Sequence, residues 1–152
     1  MTSRSAQSHM LAALAEAEAA GARGEVPIGA VVVSAQGKVL GRAGNRTREL
    51  ADPTAHAEML AIRQACAATG SERLDGADLY VTLEPCAMCA AAISFARVRR
   101  LYFGALDPKG GGVEHGARVF SQPTCHHAPE VYGGIEESRA AALLRAFFES
   151  RR

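Results

Sequence analysis

The stretch DLYVTLEPCAMCAAAISFARVRRLYFGA, residues 78 to 105, constrains the fold more than any other part of the chain. It opens with a short apolar, β-branched and aromatic run over 78–83, bounded by polar signals, which predicts a buried strand. PCAMCAAAISFAR then reads as a helix, with Pro85 at the first position, where its missing N–H costs nothing. VRRLYFGA, 98–105, predicts the next strand. Strands separated by a helix imply a parallel crossover, so the chain belongs with sheet-and-helix architectures rather than with bundles.

The flanking segments extend that pattern. Residues 6–20 are alanine-rich, with Met10, Leu11, Leu14 and Ala17 on one helical face and Gly21 and Gly24 as stops. VPIGAVVVSAQGKVLGRAGN gives two strand-like runs, 28–34 and 38–43, around the turn AQG, and so a hairpin. Thr54 to Ala68 suits a helix, with Thr54 as N-cap and an end near Gly70. Residues 107–134, rich in glycine and proline, read as loop with one short helix. EESRAAALLRAFFESRR closes the chain as a helix with Leu143, Leu144, Phe147 and Phe148 facing inward. The expected fold is α/β, a three-layer α-β-α sandwich on a mixed sheet. At 152 residues, without repeat or linker, 1–152 is expected to be a single domain.

Composition excludes several function classes. No segment sustains the apolar run of a membrane span. MLAALAEAEAAGA is interrupted by Glu16 and Glu18, so it reads as an amphipathic helix rather than a signal peptide, and a cytoplasmic location is expected. A net charge of +1 gives no bulk attraction for nucleic acid, so any such role needs a local patch. The candidates are Arg97, Arg99, Arg100 and the tail Arg145, Arg151, Arg152; each is read first as a solvated helix end. In a reducing compartment the four cysteines are free thiols or metal ligands rather than disulfides, which directs attention to their spacing.

PCAMC sets Cys86 and Cys89 three apart at a helix start, bringing both sulfurs to one side of a turn whose dipole favours thiolate. A lone CxxC could equally be a redox pair or buried packing. The second clue is PTAHAEML, 53–60. A capping box begun at Thr54 would place its glutamate at 57, yet that position is Ala57 and the glutamate is Glu58, which leaves His56 and Glu58 unexplained by helix capping. His56 opens a helix near the same end of the sheet as the cysteines. One imidazole and two thiolates leave a fourth tetrahedral position open on a Zn2+ ion, the mark of a catalytic rather than structural site. Water there would ionise near pH 7, and Glu58, two residues past the histidine, is placed to move protons.

The combined pattern His56-Ala57-Glu58 and Pro85-Cys86-Ala87-Met88-Cys89 is a known signature of zinc nucleobase deaminases. Over nearly its whole length the chain also resembles the bacterial tRNA-specific adenosine deaminases of the cytidine deaminase-like superfamily. The likeness rests on EVPIGAVVV (25–33), GNRTRE (44–49), DPTAHAEMLAIRQA (52–65), LYVTLEPCAMCAAAI (79–93), FGALDPKGG (103–111) and ALLRAFF. It implies a five-stranded mixed sheet, a homodimer, and conversion of wobble adenosine to inosine in a tRNA anticodon stem-loop. It makes His56, Cys86 and Cys89 the ligands of one Zn2+ per chain and Glu58 the general acid/base. Asn45 matches the asparagine that hydrogen-bonds the target base. Asp107 and Lys109 match a loop near the anticodon nucleotides.

Between 110 and 134 the sequence departs from the best-known members, so tRNA contacts there do not transfer. Cys125, His126 and His127 lack an evident fourth ligand for a second metal, Cys66 reads as core, and His9 and His115 carry no usable signal. Two alternatives remain: a deaminase of a free base or nucleoside such as guanine, cytosine or cytidine, and a zinc-stabilised nucleic-acid binding module without catalysis. The first would share the same zinc chemistry, since substrate choice lies in the pocket. The second would have no use for Glu58.

Overall fold

The structure, a computed structural model, describes residues 4–151. Helix α1 (Arg4–Ala22) precedes the hairpin β1 (Gly29–Val33) and β2 (Val39–Gly44). There follow α2 (Ala57–Thr69), β3 (Asp78–Leu83), α3 (Ala87–Phe95), β4 (Arg100–Ala105), a 3-10 turn at Val119–Ser121, β5 (Glu130–Tyr132) and α4 (Glu137–Glu149). The five strands form one mixed sheet in the order β2-β1-β3-β4-β5. β1 runs antiparallel to both β2 and β3, whereas β4 runs parallel to β3 and to β5. The expected α/β sandwich with a five-stranded mixed sheet is therefore the observed fold.

Each face of the sheet has its own apolar layer. On one side Ala57, Ala61, Ile62 and Ala65 of α2 and Ala90 and Ile93 of α3 pack on Val32, Leu79, Val81, Leu101 and Phe103. On the other, Met10, Ala13 and Leu14 of α1 and Ala140 of α4 pack on Val31, Val33 and Tyr80. α1 approaches closely enough that a Cβ on Gly29 would overlap the Ala13 carbonyl, which is why a glycine opens β1. On this second face Tyr80, Tyr102 and Tyr132 stack across β3, β4 and β5, with ring centroids 4.5 and 5.1 Å apart. They lie toward the start of the parallel strands, away from the end where β3 meets the cysteines.

Five expectations change. α2 starts at Ala57, not Thr54, because the Thr54 hydroxyl bonds Asp52 Oδ1 at 2.7 Å instead of capping the helix. α3 starts at Ala87, leaving Pro85 ahead of the N-cap residue Cys86. The region 107–134 holds a strand, β5, as well as the short helix. Of α4 only Ala140 is fully buried and Phe148 is 54% exposed, so the helix does not turn all its large residues inward. Arg99 and Arg100 are not helix ends either: Arg99 forms a two-pronged pair with Asp78 at 3.1 and 3.0 Å, and Arg100 faces Glu130. In the tail, the Arg151 guanidinium lies 3.6 Å over the Phe147 ring, and Arg152 falls outside the described residues. Cys66 is partly buried against the core, as expected. Among the described residues no helix is long and apolar enough to cross a membrane.

Candidate metal centre

The site forms where the end of β3 meets the end of the hairpin. The Gly29 N–H reaches Thr82 Oγ1 at 3.2 Å, tying the start of β1 to the end of β3, and Gly44 pairs with Gly29. The chain therefore leaves β2 beside the point where β3 delivers Cys86. Cys86 takes the N-cap position of α3 in extended backbone, and Cys89 lies one turn later. His56 takes the N-cap position of α2, with no side-chain cap of its own.

His56 Nδ1 is 3.6 Å from each sulfur, and the three ligand atoms all lie within 4.8 Å of one another. Zinc bond lengths at a tetrahedral angle put an imidazole nitrogen and a thiolate sulfur about 3.6 Å apart, so the triangle has the dimensions of a zinc site. One ring N–H cannot point at two sulfurs at once, whereas one lone pair directed at an ion between them satisfies both. The residues thus fit the metal that the sequence pattern implies.

The titration of these side chains matches that purpose. Hydrogen bonding from Cys89, and from His56, holds Cys86 down to about 4, a thiolate. The same bond to Cys86, with burial, pushes Cys89 far above the ordinary thiol range. Hydrogen bonding to Cys86 raises His56 above its ordinary value. Glu58 is 4% exposed, and burial, aided by the Cys86 charge, pushes it up to about 7. A carboxyl balanced near neutrality can both accept and release a proton.

Asn45 is 7% exposed and does what Thr54 was expected to do. Its Oδ1 accepts the Ala57 N–H at 2.8 Å, capping α2 between His56 and Glu58. With Oδ1 so engaged, Nδ2 finds no partner among the described residues and is left as a donor. Asp107 and Lys109 do not join the metal triangle. Asp107 Oδ1 instead accepts the Gly110 N–H at 3.0 Å, closing its own turn, and Lys109 makes no ion pair among the described residues. Cys125, His126 and His127 form no metal group among the described residues: Cys125 Sγ lies 3.5 Å from Ser94 Oγ, and His127 Nε2 is 2.7 Å from the Val98 carbonyl.

Two buried carboxylates that the sequence did not single out fasten the loops around the site. Glu25 accepts the backbone N–H groups of Arg48 and Glu49 at 3.2 and 2.9 Å, pinning the segment after Asn45. Burial opposes its charge, but those bonds and the neighbouring Arg23 and Arg48 outweigh it and keep Glu25 below the usual value. Glu84 does the same for residues 107–115, with His115 as its only side-chain partner among the described residues. The partners of each lie more than 20 residues away in sequence, and no local pattern announces them.

The model of the cytidine and deoxycytidylate deaminase zinc-binding region matches residues 3–105. The tRNA-specific adenosine deaminase of Agrobacterium fabrum is 69% identical over 140 residues, covering 92% of this chain and 91% of that one. The chain belongs to the tRNA-specific adenosine deaminase family. A solved structure from a study of A-to-I editing by tRNA:A34 deaminases at the wobble position superposes with a TM-score of 0.88. It shares 69% identity, covering 90% of this chain and 99% of that one. A guanine deaminase from Bacillus subtilis is more distant, at TM-score 0.66 and 30% identity over 83% of each chain. Members of this deaminase family carry the zinc-binding region, and here it contains the His56, Cys86, Cys89 triangle.

Proposed function

We propose that this chain hydrolyses adenosine to inosine at the wobble position of a tRNA anticodon, with His56, Cys86 and Cys89 holding one Zn2+ and Glu58 carrying protons. The observation that carries the substrate assignment is the 69% identity to a tRNA-specific adenosine deaminase across 92% of this chain. The metal triangle alone would serve any nucleobase deaminase. When bound, the zinc supplies the Lewis acidity that makes water a nucleophile near neutral pH.

The chain's own groups do the rest. Glu58 takes the proton that the attacking water gives up and delivers it to ring N1 as the new bond to C6 forms. It then takes the proton of the new C6 hydroxyl and carries it to the departing amine, so that adenosine and water become inosine and ammonia. Its burial keeps bulk water from competing for that proton. The Asn45 Nδ2, aimed by the bond its Oδ1 makes to Ala57, donates to the target base. The loop bearing Asp107 and Lys109 lies beside the neighbouring anticodon nucleotides. A splayed-out loop base suits a site at the ends of the strands better than a base locked in a duplex does.

The homodimer belongs to the same reading. Phe95, at the end of α3, is 76% exposed and borders a cavity of about 410 Å³ lined with Ala91, Val119 and Cys125, an apolar face suited to a second copy. A cytoplasmic site of action follows from the tRNA substrate.

The test is incubation of the zinc-loaded protein with an ACG-anticodon tRNA and, separately, with guanine, cytidine and adenosine, scoring inosine and ammonia. Inosine in the tRNA is the expected result. Guanine turnover without inosine would replace this reading with the free-base one.

A further inference from the structure

The geometry points to Glu84 as a positioning residue that locks the substrate-facing loop 107–115 to the metal-ligand segment, an inference that rests on the function proposed above. Glu84 stands between the last residue of β3 and Pro85, and its side chain is fully buried. Oε1 accepts the Asp107 N–H at 3.0 Å and lies 2.8 Å from His115 Nδ1. Oε2 accepts the N–H groups of Val113, Glu114 and His115 at 3.2, 2.9 and 3.1 Å. A carboxylate with this many backbone donors and, among the described residues, no Lys or Arg partner is built to organise a loop.

The loop needs such an anchor. It contains Gly110, Gly111 and Gly112, and between 107 and 115 only Val113 supplies a buried apolar side chain. Glycine-rich backbone loses much freedom on ordering, and little apolar burial offsets that loss here. The fit is tight: a Cβ on Gly111 would overlap the Glu84 carboxylate, and one on Gly112 would lie 2.5 Å from the Ala87 nitrogen. The Gly112 N–H bonds the Pro85 carbonyl at 2.8 Å. Cys86 is thereby enclosed between two points where the loop touches its neighbours, Pro85 and Ala87. One carboxylate fixes at once where the loop sits and how it lies against the ligand turn. Loop ordering completed before the substrate arrives need not be supplied by the binding energy of the RNA.

Glu84→Gln tests this with little change of volume, since one acceptor becomes an NH2 group that meets N–H donors head-on. Amide hydrogen exchange is read without RNA, and steady-state kinetics with an anticodon stem-loop. Expected are faster exchange at Val113, Glu114 and His115, an unchanged zinc content, and a KM raised about tenfold with kcat altered less than about threefold, tenfold being what a pre-organised contact worth one such hydrogen bond supplies. Gly111→Ala, which disturbs the same carboxylate from the loop side, should raise KM alike. The double variant should be no worse than the poorer single one, because both break one interaction. Unchanged exchange overturns the anchor itself. Faster exchange with an unchanged KM overturns the positioning role. No inosine from the wild-type protein, with exchange still responding to Glu84→Gln, overturns the functional reading and the positioning role while leaving the anchor in place.

Discussion

Replacing Asn45 separates the cap that its Oδ1 makes on α2 from the base contact proposed for the Nδ2 of the same amide. Its Oδ1 caps α2 through the Ala57 N–H at 2.8 Å, in a position 7% exposed, so Asn45→Ala leaves a helix-terminal donor without its partner. Losing a cap or a buried hydrogen bond of this kind costs about 1–2 kcal/mol. In a domain of this size that lowers Tm by about 2–8 °C. Asn45→Ala also removes the Nδ2 donor proposed to meet the base, which reduces kcat/KM by about 5- to 150-fold. Asn45→Asp keeps the acceptor and places its charge at a helix N-terminus, so it should recover stability relative to Asn45→Ala while staying equally poor in catalysis, having no donor to offer. Calorimetric Tm values and inosine formation on a stem-loop substrate give the two readings. A Tm for Asn45→Ala equal to wild type would refute the capping argument. Wild-type turnover by Asn45→Asp would refute the donor argument.

Three further outcomes can be checked. Glu58→Ala should keep its zinc and its fold yet lose about 10²- to 10⁴-fold in ammonia release, and unimpaired release would favour the scaffold reading. Zinc entry must displace protons held on Cys89, raised by its bond to Cys86, and on His56, raised likewise, so zinc affinity should fall as pH decreases. Calorimetry in buffers of different ionisation enthalpy would show the released protons, and an affinity flat between about pH 6 and pH 8 would contradict this account. Phe95→Asp, at a 76% exposed position, should leave Tm nearly unchanged while shifting sedimentation from dimer to monomer; a wild-type monomer would remove the proposed interface.

What the sequence revealed, and what it concealed, divides by the range of the interactions involved. β3 occupies 78–83 as expected, because a short apolar run between polar residues is defined locally. His56, Cys86 and Cys89 were legible because their spacings reflect helix geometry, and the structure brings their ligand atoms together. β5 escaped because it is three residues long at a sheet edge, with Tyr132 42% exposed and no periodicity to read. Thr54 misled because a nearby acceptor, Asp52, competes for its hydroxyl, while the real partner of the Ala57 N–H comes from twelve residues earlier. Glu84 and His115 were invisible for the same reason: a buried carboxylate satisfied by distant backbone leaves no trace in composition. The inward turn of Phe148 failed because an amphipathic pattern shows which residues cluster, not how much of the cluster the rest of the chain can cover.

The sequence contains no tryptophan and three tyrosines, and all three stand in the stack across β3, β4 and β5. Tyrosine emission from this protein is therefore a gauge of the sheet's far end, with no tyrosine or tryptophan at the metal-ligand end. Metal loss that leaves the strands paired would pass unseen in tyrosine fluorescence, while strand separation would register at once. The two events can be followed independently in one sample, one by its light and the other by a chelating dye.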